Sequence, residues 1–102
     1  MKIPKKIRAF GREYLVIHDD DITASYESHG LVSHDKEFIA LRKRSLSFSE
    51  AKEASTFLHE IIHIIEENLN IAIDEDQVNL LAVALYTILV DNKLNFQPLE
   101  SK

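Results

Sequence analysis

The chain of 102 residues contains no cysteine, which excludes disulfide bonds and zinc sites made of thiolates. Its folding therefore requires no oxidising compartment. No apolar run approaches the length of a membrane span, and the basic N-terminal segment, residues 1–11, lacks the long apolar core and the cleavage-like site of a signal peptide. These absences favour a cytoplasmic protein without a membrane partner.

The composition is that of an ordinary folded protein. Hydrophobic residues make up 45% of the chain and charged residues 28%. A chain of this length forms one domain with a real core. We predict a single domain over residues 1–95 and a C-terminal tail without clear structure over residues 96–102.

The net charge of -5 is distributed unevenly between the two halves of the chain. Residues 1–44 carry nine Lys and Arg against seven Asp and Glu, whereas residues 45–102 carry three against ten. The short basic runs of the first half are not interleaved with aromatic residues, and the acidic second half repels phosphates. The sequence therefore disfavours nucleic acid as a partner.

The first half of the chain has the pattern of β-strands. Residues 7–17 contain β-branched and aromatic residues around a Gly11-Arg12 turn signal, which predicts a β-hairpin or a bent strand. A second hairpin is predicted from residues 31–33 and 37–42, with its turn at residues 34–36. Between them, the aspartates at residues 19–21 lack the spacing of an EF-hand calcium loop and are interpreted as a solvated turn.

The second half has helical periodicity. Ser47 and Glu50 have the spacing of a capping box, which predicts that a helix starts there, and Asn68 or Asn70 can end it. Asp74 can cap a second helix that runs to about Asp91, with Ile73 packing on Val78. The predicted fold class is α+β, with a small antiparallel sheet packed on two main helices.

The first of these helices contains the motif HExxH, as His59, Glu60 and His63. Histidines four residues apart lie on one face of a helix, so both imidazoles can reach a single zinc ion. Glu60 falls beside the metal, where it can deprotonate a zinc-bound water as a general base. The motif therefore indicates zinc as a cofactor and hydrolysis as the chemistry.

A hydrolytic zinc site needs a third protein ligand. The extended motif HExxHxxGxxH requires glycine at position 66 and histidine at 69, but the chain has Glu66 and Leu69 there. Glu67 lies four residues after His63, and ligands on three successive turns of one straight helix lie along a line rather than around a point. A carboxylate of the following helix can approach from another direction, which favours Glu75 and leaves Asp76 as the alternative.

Residues 56–92, with HEIIH followed by EDQVNLLAVALYTIL, resemble the small phage and mobile-element proteins grouped with the ImmA/IrrE-type zinc metallopeptidases. In that family the second helix opens with a pattern close to ExxANxFA, whose glutamate is the third zinc ligand. Residues 75–82 fit this pattern, with Val78 for the alanine and Leu81 for the phenylalanine. The resemblance implies a minimal zincin fold, zinc bound by Glu75 with the two histidines, and hydrolysis of a peptide bond, often in a transcriptional regulator.

Other polar residues give weaker signals. The histidines outside the motif lack partners at ligand spacing and are expected to be solvated or locally hydrogen-bonded; they are His18, His29 and His34. A tyrosine can stabilise an oxyanion, but the spacing selects none of Tyr14, Tyr26 and Tyr86. The strand at residues 37–42 either pairs with an extended substrate or is simply buried.

The main hypothesis from the sequence is a zinc-dependent peptidase that binds a protein or peptide substrate, with a transcriptional regulator as one candidate. The alternative is a phage or mobile-element protein that keeps the fold but acts by binding a host or phage protein. A structural zinc domain is a third interpretation, and it requires a fourth protein ligand. The oligomeric state is left open: an exposed apolar face on the second helix would indicate a dimer, but the same apolar residues would serve equally well as core.

Overall fold

Two β-hairpins, one short helix and two long helices form the structure, which is a computed structural model that describes residues 1–26 and 28–96. In chain order the elements are β1 (Lys6–Ala9), β2 (Arg12–His18), α1 (Asp20–Ser25), β3 (Gly30–Ser33), β4 (Phe38–Leu41), α2 (Glu50–Leu69) and α3 (Glu75–Asp91). The fold class is α+β, as predicted. Among the described residues, no helix combines the length and the apolar composition needed to cross a membrane.

The four strands form one mixed sheet in the order β1-β2-β4-β3. Both predicted hairpins are present, because β1 pairs antiparallel with β2 and β3 pairs antiparallel with β4. The prediction of a wholly antiparallel sheet is wrong, since β2 and β4 are parallel, with Leu15 opposite Phe38 and His18 opposite Leu41. The connection through α1 and β3 returns the chain to its starting end, so β4 runs in the same direction as β2.

The aspartates at residues 19–21 form the start of α1 rather than a solvated turn. The Asp19 side chain caps this helix, with one carboxylate oxygen accepting a hydrogen bond from the Ile22 N–H at 3.0 Å. Asp20 and Asp21 lie in the first turn, where negative charge interacts favourably with the helix dipole. The same acidic residues that resemble a turn signal therefore also suit a helix N-terminus.

The ends of the long helices follow their capping residues. The Ser49 hydroxyl accepts from the Lys52 N–H, so α2 starts two residues later than the predicted start at Ser47. The reason is tertiary: Ser45 and Phe48 pair in a β-bridge, and Phe48 is completely buried. At its other end α2 stops at Asn70 in the left-handed conformation, which confirms one of the two predicted ends.

Helix α3 confirms the prediction closely. Asp74 caps it by accepting from the Asp76 N–H at 2.9 Å, and the helix ends at Asp91. Ile73, just before the cap, packs with Val78 in the same apolar cluster, as expected of a residue that fixes the entry angle of the chain.

Helix α2 has two buried faces, one against the sheet and one against α3. The core between α2 and the sheet consists of Ile7, Tyr14, Val16, Ile39, Leu41, Phe57 and Ile64. The smaller core between α2 and α3 consists of Leu58, Ile62, Val78 and Ala82. Packing on both sides fixes α2 in position, and with it the HExxH motif.

Phe96 lies beyond α3 and packs edge-on against Phe57, with ring centroids 5.2 Å apart. It joins the core between α2 and the sheet as a partly buried residue. The rest of the predicted tail, residues 97–102, lies outside the described residues, so the predicted boundary at residue 96 stays a prediction.

Candidate metal centre

His59 and His63 lie one turn apart on α2 and direct the same ring nitrogen toward one point. Their Nε2 atoms are 3.0 Å apart, and the two rings are inclined by 69°. Both side chains are partly buried, with exposed fractions of 15% and 28%. The lone pairs of the two Nε2 atoms can therefore coordinate the same metal ion.

Glu75 brings a carboxylate to this histidine pair from the first turn of α3. One of its oxygens lies 2.9 Å from His59 Nε2, and the other lies 3.5 Å from His63 Nε2. The left-handed Asn70 ends α2, and Asp74 starts α3 after a short loop, so the chain turns back directly toward the histidines. The carboxylate that joins the pair is that of Glu75 rather than that of Asp76.

The three side chains have the donor types and the spacing of a zinc site. Each offers one ligand atom, and these atoms all lie within 4.8 Å of one another. Zinc bonds of about 2.1 Å in a tetrahedron place neighbouring ligands about 3.4 Å apart. Here the two Nε2 atoms are 3.0 Å apart, and one Glu75 oxygen lies 2.9 Å from His59 Nε2 while the other lies 3.5 Å from His63 Nε2. Among the described residues no fourth histidine, aspartate or glutamate joins the group. Two histidines and one carboxylate match the ligand set of hydrolytic rather than structural zinc sites.

Glu66 is a site residue that the sequence analysis missed. One of its carboxylate oxygens lies 2.6 Å from His63 Nδ1, and the other accepts a hydrogen bond from the Ile73 N–H at 2.8 Å. The Ile73 N–H, together with the His63 ring, holds the pKa of Glu66 below its usual range. A proton on His63 Nδ1 is therefore directed to Glu66, which leaves Nε2 free as a ligand atom. The spacing of three residues after His63 is a local signal for this contact, but Glu66 is not among the site residues predicted from the sequence.

Glu60 is buried, with 6% of its surface exposed, although its side chain lines the cavity beside the histidines. Burial raises the pKa of Glu60 to about 7; the Glu75 carboxylate adds to this rise, and His63 opposes it. A carboxylate with a pKa near neutrality can both accept and return a proton. Its chemistry suits the general-base role that the sequence indicates.

The cluster lies in a cavity of about 890 Å³ between α2, α3 and the loop and strand at residues 28–34. From α2 the cavity is lined by His59, Glu60, His63, Glu66 and Glu67; from α3 by Glu75, Asn79, Ala82 and Val83; and from the sheet side by Ser28, His29, Gly30, Leu31, Val32 and His34. The strand beside the cluster is thus β3, at one edge of the sheet. The alternative that the strand at residues 37–42 pairs with substrate is wrong, because β4 is paired on both sides.

The remaining histidines lie outside the group formed by His59, His63 and Glu75, and their surroundings differ. His18 Nε2 lies 2.9 Å from a carboxylate oxygen of Glu53, and His29 packs against the ring of Phe48. The hydrogen bond of His18 and the exposure of His29 fit the expectation that these histidines are solvated or locally hydrogen-bonded, whereas His34 departs from it. His34 lines the cavity, and its Nδ1 is buried without a hydrogen-bond partner among the described residues.

None of the three tyrosines lines the cavity. Tyr14 is completely buried in the core on the sheet side, and Tyr86 packs on the cluster between α2 and α3. Tyr26 is exposed and borders a different depression. The structure therefore brings no tyrosine to the place where an oxyanion would form.

Comparison of the chain with known protein families, with curated proteins and with solved structures finds no match.

Proposed function

We propose that the protein is a zinc-dependent peptidase with a minimal zincin architecture, similar to the ImmA/IrrE-type enzymes. The observation that supports this most directly is the convergence of His59, His63 and Glu75 beside the buried Glu60 in one cavity. HExxH on a helix is short enough to occur by chance. Here a carboxylate from a second helix lies at ligand distance from the histidines, and Glu66 contacts the other ring nitrogen of His63. These two contacts argue against a chance occurrence of the motif.

His59, His63 and Glu75 hold the metal in this proposal. When bound, zinc supplies a Lewis acid that polarises the scissile carbonyl and makes water a better nucleophile at neutral pH. Glu60 accepts a proton from the attacking water and then delivers it to the nitrogen of the leaving amine. The pKa of about 7 suits both steps, since the protonated and ionised forms of Glu60 are then close in free energy.

The proposed substrate is an extended segment of a protein. Strand β3 lines the cavity and has a strand partner on only one side among the described residues. Its other side can pair with a peptide backbone, which would lie across the metal cluster. Backbone pairing contributes affinity with little dependence on side chains, so sequence preference must come from the cavity walls.

The first test is zinc content per chain in protein purified without chelator. We expect about one zinc ion per chain, a large loss in His63→Ala, and no loss in His29→Ala, which removes a histidine from the cavity wall but not from the cluster. A parent protein that stays metal-free when zinc is added contradicts the proposal.

Glu60→Gln then separates catalysis from binding. The variant should keep zinc and lose cleavage of unfolded protein substrates by several orders of magnitude, because the amide cannot accept the proton. The control Glu50→Gln changes an exposed glutamate of the same helix that lies outside the cavity, and it should retain activity. If zinc binds but no substrate is cleaved by the parent, the alternative of a binding protein with a zincin fold replaces the peptidase.

A further inference from the structure

The outward side of α3 carries apolar residues that no other described element covers. Leu81 and Ile88 are 46% and 56% exposed, and Leu80, beside them, is 70% exposed. The main neighbour of α3 is α2, which buries only Val78 and Ala82 of this helix. An apolar surface of this kind on a folded protein marks an interaction site.

Five exposed positions of α3 follow a regular spacing along one side of the helix. Gln77, Leu81, Ala84, Ile88 and Asp91 are separated by four, three, four and three residues, and we call them the α3 stripe. This is the spacing at which one helix packs along another over several turns. The small Ala84 lies at the centre of the stripe, where it allows two helix backbones to approach closely.

The charges favour a second copy of the same chain over an unrelated, charged partner. Between Asp76 and Asp91 the helix has no charged residue, so a partner must present an uncharged surface over the same length, as this part of α3 itself does. In an antiparallel arrangement about Ala84, the amide of Gln77 faces the Asp91 carboxylate of the other copy and can donate to it. Lys93, just past the helix, then lies near the acidic first turn of the other copy.

A parallel arrangement has none of these advantages. It places the Asp91 carboxylates of the two copies beside each other, and also their two acidic first turns, so the copies repel each other at both ends of the helix pair. The two helix dipoles would also be aligned side by side in the same direction. The sequence of the stripe is therefore complementary to itself only when one copy is reversed, which is the geometry of a twofold dimer.

We propose that α3 forms an antiparallel, twofold-symmetric homodimer through the α3 stripe, centred on Ala84. The metal cluster does not take part, because Glu75, Asn79 and Val83 line the cavity from another side of α3. One helix pair is a small interface, so the dimer should dissociate on dilution into the micromolar range or below. This inference does not depend on the proposed peptidase function.

The absence of cysteine makes disulfide trapping a direct test. Helix axes about 8–10 Å apart and a Cα radius of about 2.3 Å place the two Ala84 Cα atoms roughly 5 Å apart, within the range that a disulfide spans. We expect Ala84→Cys to form a cross-linked dimer about tenfold or more faster than Ala51→Cys, which introduces the same change at an exposed position of α2.

Gln77→Cys distinguishes the two directions. In the antiparallel dimer the two positions 77 lie about 21 Å apart, so this variant should not cross-link with itself but should cross-link with Asp91→Cys in a mixture. Rapid self-linking of Gln77→Cys overturns the antiparallel arrangement. Equal rates for Ala84→Cys and Ala51→Cys overturn the proposal.

Sedimentation of the full chain without cysteine gives an independent measurement. The parent should change from one-chain to two-chain mass as its concentration rises, and Ile88→Glu should remain at one-chain mass with an unchanged circular dichroism spectrum. Val90→Glu is the matched control, since it places the same charge at an exposed apolar position on the other side of α3. A parent that stays monomeric at all concentrations overturns the proposal and leaves a different protein as the occupant of this face.

Discussion

Glu66 connects the candidate metal centre to the loop between the two long helices. Its two oxygens contact His63 Nδ1 and the Ile73 N–H, so one side chain fixes both the orientation of a ligand and the path of the chain toward Glu75. A partner behind a metal ligand raises the basicity of that ligand and limits its rotation. The effect of Glu66 on zinc should therefore be large although it is not a ligand itself.

We predict that Glu66→Gln weakens zinc binding by roughly 10- to 100-fold. The amide keeps the size of the side chain but loses the charge that attracts the His63 ring. Competition with a chromophoric chelator measures the affinity, with Glu67→Gln as the matched control from the same turn. Equal affinities in the two variants would mean that Glu66 only shapes the loop.

Glu60 makes the stability of the metal-free protein depend on pH. In the unfolded chain this carboxyl ionises near its ordinary pKa of 4.5, whereas in the folded protein burial raises the pKa to about 7. Between these values the folded state holds the proton more tightly, so the free energy of unfolding falls as pH rises. The loss should level off above the folded pKa at on the order of 3 kcal/mol.

Glu60→Gln should remove this contribution. We expect the variant, after treatment with chelator, to be more stable than the parent at about pH 8 and similar to it at about pH 5, where the parent carboxyl is largely protonated in the folded state. Urea unfolding at the two pH values measures the difference, and Glu67→Gln should follow the parent. Parallel pH profiles for the parent and Glu60→Gln would show that folding does not raise the pKa of Glu60.

Most of the cluster is predictable from sequence because its residues lie on two consecutive helices joined by a short loop. The spacing of His59 and His63 follows from helix geometry, and Glu75 follows from a cap at Asp74 that starts the next helix. Only one of the two Glu66 contacts is local: the His63 contact spans three residues, whereas the contact with the Ile73 N–H forms only when the loop folds back. The buried state of Glu60 depends on packing that no local pattern encodes.

At the scale of elements, the helices were easier to predict than the sheet. Capping residues mark the ends of α3 and the end of α2, and the start of α2 differs by two residues because Phe48 is held in the core. Each hairpin is a local structure with its own turn signal. The parallel pairing of β2 with β4 joins segments more than 20 residues apart, and it leaves no periodic signal in either strand.

Gly30 sets the distance between β3 and α2. A Cβ atom at this position would lie 2.6 Å from the Thr56 Cγ2 methyl and 3.1 Å from a methyl of Leu41. Thr56 lies on α2 one turn before His59, and its β-branched side chain has little freedom to move in a helix. The absent side chain therefore permits the close approach that forms this wall of the cavity.

We predict that Gly30→Ala destabilises the protein by about 1–3 kcal/mol and widens the cavity. Thr56→Ser removes the methyl group that the added Cβ would contact, so the double variant Gly30→Ala/Thr56→Ser should regain part of the lost stability. A double-mutant cycle from urea unfolding measures the coupling between the two positions. Additive effects would place the strain of Gly30→Ala elsewhere, at Leu41 or in the β3 backbone.

At the scale of the whole molecule, the candidate metal centre joins α2 to α3. The core between these helices is small, with four buried residues, so a metal held by both should contribute noticeably to their association. A ligand that binds only the folded state stabilises it by about 4 kcal/mol when its free concentration is about a thousand times Kd.

Removal of zinc with a chelator should therefore lower the Tm of the parent protein by several degrees, reversibly on adding zinc back. His63→Ala should show a low Tm that no longer responds to zinc or chelator, whereas His29→Ala should respond like the parent. A Tm of the parent that is the same with and without zinc would mean that no metal is bound between the helices.

The two walls of the cavity come from separate stretches of the chain. All three candidate ligands, and Glu60 and Glu66 with them, belong to the helical hairpin over residues 50–91, whereas the opposite wall consists of residues 28–34. The residues proposed to act on the substrate and the residues of the opposite cavity wall thus belong to different segments of the chain. Replacing residues 28–34 could alter which peptides are accepted without touching the metal ligands, which makes this segment the natural place to engineer selectivity.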